Sequence, residues 1–265
     1  MDLQLAGKRA VVTGASRGIG YAVADALAAE GADVALVARD PAALDIAAGL
    51  MSRHGHRVLA LPADTTDDEA VRAMIAATVA GLGGVDILVN AAAEAAGPQM
   101  PRTLAELTDD HLMAAIDTKV LGYVRTARAL APHMVAQGWG RIINISGLAA
   151  RSTGLPSASI RNVAVAALTK NLADELGRSG INVNVVHPGM TVTERTPAVV
   201  AAYAAAGGIS ETEAEARMHA RVGIGRVVTA AEVADVVAFL ASPRSVAING
   251  DAIAAGGGTP GPIHY

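Results

Sequence analysis

The run Thr13-Gly14-Ala15-Ser16-Arg17-Gly18-Ile19-Gly20 carries three glycines in eight residues. Glycines at that spacing permit a tight turn, let the backbone approach an anion, and let a following helix pack closely. Backbone N–H groups and the positive end of that helix can then hold a diphosphate. A second set of residues has the chemistry of proton transfer. Lys119 and Tyr123 stand four apart, on one face of a helix, and Ser146, Ser157 and Ser159 offer hydroxyls that can polarise a carbonyl. Each also has a plainer reading, Tyr123 as a helix-interface residue and Lys119 as a structural cation. The chain has no cysteine, which excludes thiolate catalysis, disulfides and Cys-ligated metals, and no metal site is expected.

The elements that position these residues follow from the hydrophobic pattern. Short apolar runs rich in β-branched residues lie at Arg9–Thr13, Asp33–Ala38, Val58–Pro62, Ile87–Asn90, 141–146, 182–187 and 252–254. Helix-period segments separate them, near 19–30, 42–53, 67–82, 109–137, 159–178 and 230–241. Strands buried on both faces and alternating with helices predict βαβ units, hence one α/β domain over 1–265. The predicted architecture is a three-layer, doubly wound Rossmann fold on a seven-stranded parallel sheet. The segment 191–228 reads as an irregular excursion covering the ligand edge, punctuated by Thr196-Pro197 and Gly207-Gly208. A short helix within it, 210–221, is opened by Ser210.

Because the glycine run follows the first strand and opens a helix, it predicts a dinucleotide site. An acid at the end of the second strand would accept hydrogen bonds from a free ribose 2′-hydroxyl and repel a 2′-phosphate. That position holds Ala38, followed by Arg39, with Arg17 a second cation in the glycine loop. Two guanidiniums can clamp a phosphate bidentately, and Asp40 is the one nearby acid. The expected cofactor is therefore NADP(H) rather than NAD(H).

The octapeptide TGASRGIG resembles the TGxxxGxG segment of the short-chain dehydrogenase/reductase family, and the likeness extends over nearly the whole chain. Asp64 is similar to the family's adenine-contacting Asp, with Thr65 beside it. Asn90-Ala91-Ala92-Ala93 resembles NNAG, keeping its first Asn and first Ala. His187-Pro188-Gly189, with Thr191 and Thr193, is similar to the segment that contacts the nicotinamide carboxamide. Arg226, Glu232-Val233-Ala234, Phe239-Leu240-Ala241-Ser242 and Gly256-Gly257 resemble the C-terminal signature. The resemblance implies a hydride-transferring oxidoreductase acting on a carbonyl or alcohol, or on an activated double bond.

The same alignment implies four departures. The family's proton-donating Tyr falls on Ala158, its Lys on Asn162, its catalytic Ser on Gly147 and its helix Asn on Lys119. No tyrosine lies anywhere in 140–200. Asn and Lys thus stand exchanged, and a desolvated Lys119 with a lowered pKa becomes the candidate proton donor, with Ser146 the candidate carbonyl ligand. Lys170, the other lysine of this half, reads as a solvated surface residue. The competing expectation is a non-catalytic NADP(H)-binding homologue that acts as a sensor or partner subunit.

A net charge of −4 offers no field for a nucleic acid. No apolar run approaches a membrane span, and the first residues carry no leader pattern, so the expectation is a cytoplasmic protein. Ala-rich faces on 109–137 and 159–178, together with the resemblance, suggest a homodimer or homotetramer. The tail 258–265 is read either as a cap on a neighbour or as loose chain. The substrate is left open.

Overall fold

In the computed structural model, residues 1–93 and 100–260 are described. Part of the tail reading, at 261–265, lies outside the described residues. Nine strands are present among them: β1 Arg9–Thr13, β2 Asp33–Ala38, β3 Val58–Pro62, β4 Ile87–Asn90, β5 Gly140–Ile145, β6 Ile181–Pro188, β7 Thr191–Val192, β8 Val228–Thr229 and β9 Ala252–Ala255. The helices are α1 Gly18–Ala29, α2 Pro41–Met51, α3 Asp68–Leu82, α4 Asp109–Ala115, α5 Gly122–Gln137, α6 Pro156–Leu176, α7 Thr196–Gly207, α8 Glu211–His219 and α9 Ala230–Ala241. Seven strands form one parallel sheet in the order β3-β2-β1-β4-β5-β6-β9, as the pattern predicts.

Alternation along β1 explains the three layers. Ala10 and Val12 pack into the core beneath α1, α2 and α9, while Val11 faces the second core beneath α3, α5 and α6. The strand order reverses between β1 and β4, so their carboxyl ends diverge into the crevice where such sheets take ligands. The glycine run and Asn90-Ala91 stand at those two ends.

Two features differ from the sequence expectation. First, 191–228 is mostly regular, and Thr196-Pro197 and Gly207-Gly208 bracket helix α7 rather than interrupt a loop. Pro197 sits in the first turn, where its missing N–H costs nothing, and Gly208 ends the helix in the left-handed region. α7 and α8 enclose a small core of their own (Val200, Ala204, Ala214, Met218, Val227), and Ser210 caps α8 as expected. Second, the predicted 109–137 helix is broken by a π-helical stretch, Ile116–Leu121, between α4 and α5. Among the described residues no helix is long and apolar enough to cross a membrane.

At the opposite end of the sheet Asp86 ties three elements together. Its carboxylate accepts from the Arg9 backbone N–H at 2.9 Å, from Arg9 Nε at 2.7 Å and from Gln137 Nε2 at 3.2 Å. Asp86→Ala leaves a guanidinium and a backbone donor without their acceptor. The expected loss is about 3 kcal/mol of unfolding free energy by urea titration. On the outer surface α5 and α6 leave a groove of about 420 Å³ lined by Val124, Ala131, Val135, Leu168 and Leu172.

Candidate functional site

The glycine loop owes its shape to two close approaches. Gly14 adopts φ +67, and a Cβ there would meet the Ala91 carbonyl and Ala92 nitrogen at 2.9 Å. A Cβ on Gly20 would collide with the Gly14 carbonyl oxygen, so α1 can seat on the loop only without one. Thr13 Oγ1 accepts from the Ala91 and Ala92 N–H groups at 3.0 and 3.2 Å, locking the ends of β1 and β4 together. A Cβ on Gly18, at φ +59, would be in van der Waals contact with Thr193 Cγ2 at 3.8 Å and Glu194 Oε1 at 4.0 Å. The glycine loop and the start of α1 thus face the 193–194 segment, and this is where backbone N–H groups could hold a diphosphate. Ser16 and Arg17 complete the rim of this cradle, and Ile19 packs down onto the core.

At the end of β2, Asp40 turns away from Arg39. Its Oδ1 caps α2, accepting from Ala42 and Ala43 N–H at 3.0 and 3.3 Å. Arg39 and Arg17 remain exposed. Asp64 is half-buried after β3. Burial raises its pKa, but two hydrogen bonds from Thr66 at 2.9 Å and the charges of Arg39 and Arg125 outweigh this and hold the carboxyl below its usual range. Thr65 is buried, and its carbonyl accepts from Arg125 at 3.2 Å.

The site's inner wall is a hydrogen-bonded chain. Thr126 Oγ1 donates to Asn90 Oδ1 at 2.7 Å, Asn90 Nδ2 to Asn144 Oδ1 at 3.0 Å, and Asn144 Nδ2 to Thr169 Oγ1 at 2.9 Å. It joins α5, β4, β5 and α6 beneath the crevice, which gives the Asn90 side chain a positioning task that its sequence context did not announce.

Lys119, Ser146, Gly147 and Asn162 come together above that wall. Lys119 Nζ donates to the Ser146 carbonyl at 2.9 Å and to Asn162 Oδ1 at 3.0 Å. Burial, reinforced by the positive charge of Arg161, lowers its pKa from 10.5 to about 7. The π turn carries Lys119, so its extra residue per turn sets where this side chain enters the site. One turn on, Tyr123 Oη donates to the Ile145 carbonyl at 2.8 Å, and complete burial pushes the phenol's pKa up. Ser146 Oγ donates to the Asn162 carbonyl at 3.1 Å, and Ser159 Oγ to the Ser152 and Leu155 carbonyls at 3.0 and 3.1 Å. Ser157 and Ala158 are buried in the first turn of α6.

Gly147 and Asn162 fit one another. A Cβ at 147 would stand 2.9 Å from Asn162 Nδ2, so the amide that holds Lys119 occupies the room a side chain at 147 would need. The sequence did not mark two further participants as catalytic candidates, although the first stands in the His187-Pro188-Gly189 segment. His187 is buried at the end of β6, and its Nδ1 accepts from Gly147 N–H at 3.4 Å, which leaves the neutral ring's proton on Nε2. Burial, with the charges of Arg151 and Lys119, holds its pKa down at about 4. Arg161 is buried one residue before Asn162. Beside them Gly189 packs on Gly256, Thr191 Oγ1 donates to the Gly189 carbonyl at 3.1 Å, and Thr193 N–H donates to Thr196 Oγ1 at 2.8 Å. Pro188 ends the buried strand that leads there. Lys170 pairs with Asp174 at the surface, as expected. No cluster of metal-ligating side chains occurs among the described residues.

The profile of the family described as Enoyl-(Acyl carrier protein) reductase matches residues 14–259. The short-chain reductase protein NovJ of Streptomyces niveus is 35% identical over 252 residues, covering 95% of this chain and 93% of that protein. Among solved structures, L-sorbose reductase from Gluconobacter frateurii, complexed with NADPH and L-sorbose, superposes with a TM-score of 0.91 at 31% identity, covering 99% and 100% of the two chains. A single-residue variant of actinorhodin polyketide ketoreductase with NADPH gives 0.88 at 33% identity, covering 95% and 96%. With its sheet order, its glycine cradle and these relatives in agreement, the chain belongs to the short-chain dehydrogenase/reductase family.

Proposed function

We propose that this protein is an NADP(H)-dependent oxidoreductase acting on a carbonyl or its alcohol, or on an activated double bond, with Lys119 as the proton donor. The observation that carries this reading is the buried amine of Lys119, held between Ser146 and Asn162 with a pKa of about 7. When bound, the dinucleotide supplies the hydride. Gly14, Ser16, Arg17, Gly18, Ile19 and Gly20 hold its diphosphate, Asp64, Thr65, Asn90, Ala91 and Ala92 flank its adenosine and inner ribose, and Pro188, Gly189, Thr191 and Thr193 orient its nicotinamide end. The Lys119 ammonium gives its proton to the alkoxide that hydride addition creates, in place of the phenol that Ala158 does not provide. At that pKa both protonation states are populated near neutrality, which suits a group that must give and retake a proton.

Arg39 and Arg17 hold the 2′-phosphate, with the Asp40 carboxylate engaged in capping α2 and Asp64 the acid whose charge also acts on Arg39. Two structural relatives were crystallised with NADPH, which supports the same cofactor here. Arg39→Ala is expected to weaken NADPH about tenfold while leaving NADH unchanged, measured by cofactor fluorescence.

NADPH oxidation across a panel of aldehydes and ketones, with Lys119→Ala beside wild type, tests the mechanism. Equal turnover removes Lys119 from it. A second reading, a non-catalytic NADP(H)-binding subunit or sensor, draws support from the inward hydrogen bonds of Ser146 and Tyr123, whose hydroxyls both donate to backbone carbonyls. No turnover by wild type, with NADPH binding intact, selects it. The apolar groove between α5 and α6 suits a second copy of the chain. Val135→Glu on its rim is expected to lower the mass measured by light scattering.

A further inference from the structure

Strand β5 leaves its pairing with β6 at a proline. Ser146 N–H still donates to the Val186 carbonyl at 2.8 Å, so a continued parallel ladder would bring the N–H of residue 188 onto the Ser146 carbonyl. Residue 188 is proline and has no N–H to give. The Ser146 carbonyl instead accepts from Lys119 Nζ at 2.9 Å. The other end of the same peptide unit, Gly147 N–H, donates to His187 Nδ1 at 3.4 Å. One peptide thus joins the Lys119 amine to the His187 ring, and Lys119, Ser146 and His187 are all buried. A peptide whose N–H is engaged is a better acceptor at its carbonyl, because successive hydrogen bonds polarise one another. Asn162 braces the same joint from α6, accepting from Ser146 Oγ at its carbonyl (3.1 Å) and from Lys119 Nζ at Oδ1 (3.0 Å). Gly147 has no side chain to restrain the turn, which leaves its N–H bond to His187 as the restraint from the β6 side.

We propose that His187 is a positioning residue for Lys119: as a neutral Nδ1 acceptor it fixes the 146–147 peptide with its carbonyl turned to the amine. The inference rests on the reading of Lys119 as proton donor given above. His187 keeps its acceptor lone pair at neutral pH, because burial and the charges of Arg151 and Lys119 hold its pKa at about 4. The titratable and charged groups around the amine come from three sides. Tyr123 follows one turn later on its own helix, Arg161 comes from α6, and His187 comes from β6 with Arg151 beyond it. Three substitutions separate the acceptor from mere polarity. His187→Phe keeps a ring without an acceptor. In His187→Asn the amide oxygen can stand where Nδ1 stands, whereas in His187→Gln the amide lies one bond further out, near the Nε2 position.

The chain has three lysines, Lys8, Lys119 and Lys170, so labelling lysine with 13C at Cε gives three signals, and Lys119→Met identifies the one from Lys119. Titrated by NMR in the full chain without dinucleotide, Lys119 should show a pKa lower by about 0.5 in His187→Phe and His187→Gln, and the wild-type value in His187→Asn. Carbonyl reduction by NADPH should lose about fivefold in kcat at unchanged KM in the first two variants and recover in the third. The 15N spectrum of the wild-type ring should place its proton on Nε2. A ring proton on Nδ1, or a Lys119 titration that is the same in His187→Asn and His187→Gln, overturns the proposal. The wild-type ring spectrum and the two amide variants decide this even if His187→Phe folds poorly. NADPH turnover with a Lys119 titration indifferent to residue 187 defeats this inference alone. The expected titrations without any NADPH turnover defeat the oxidoreductase and leave the positioning role standing.

Discussion

Lys119→Met is expected to lower carbonyl reduction by about 10²–10⁴-fold, the range lost with a positioned general acid. Methionine matches the length and burial of the side chain, so packing between the π turn and α6 is preserved while the proton is removed. The pH profile gives the sign. The ammonium is the acid in reduction, so wild-type turnover should fall as pH rises through about 7, and the residual rate of the variant should lack that step. Alcohol oxidation should respond in the opposite direction, since the neutral amine is then the base.

Stability supplies an independent check on the same group. Folding lowers the pKa of Lys119 from 10.5 to about 7, so between these values the unfolded chain binds more protons. This contribution to stability is complete above pH 10.5 and is lost as pH falls to about 7. Urea titrations should therefore show wild type gaining on Lys119→Met by about 1.4 kcal/mol per pH unit across that window. Parallel curves would mean that the amine is not held neutral by the fold.

Gly14→Val should have a comparably large effect, on binding rather than on chemistry. At φ +67 a β-branched residue is strained by about 1–2 kcal/mol, and its Cβ would press on the Ala91–Ala92 backbone, which cannot yield as a flexible side chain can. Relief requires β1 and β4 to part at their carboxyl ends, breaking the Thr13 bonds that shape the cradle. NADPH affinity should fall about 100-fold, with a lower melting temperature. An unchanged dissociation constant would place the diphosphate elsewhere.

Local pattern by itself determined the sheet and the glycine turn, while the candidate residues at the reaction centre came from the family resemblance. The first four strands begin and end at the predicted residues, because runs of apolar β-branched residues bounded by turns carry their own boundaries. Helix α7 was also legible, since Pro197 and Gly208 are start and stop signals, yet the two pairs containing them read as breaks in an irregular loop. Only the tertiary structure decided what the polar groups do. Lys119 finds its partners 27 and 43 residues away, Asn90 is drawn into a buried chain across four elements, and Ser146 turns its hydroxyl onto α6. The π turn that aims Lys119 and the burial that lowers its pKa arise from packing α4 and α5 against α6. Residue types and spacing carry periodicity, but hydrogen-bond partners and desolvation exist only once distant segments meet.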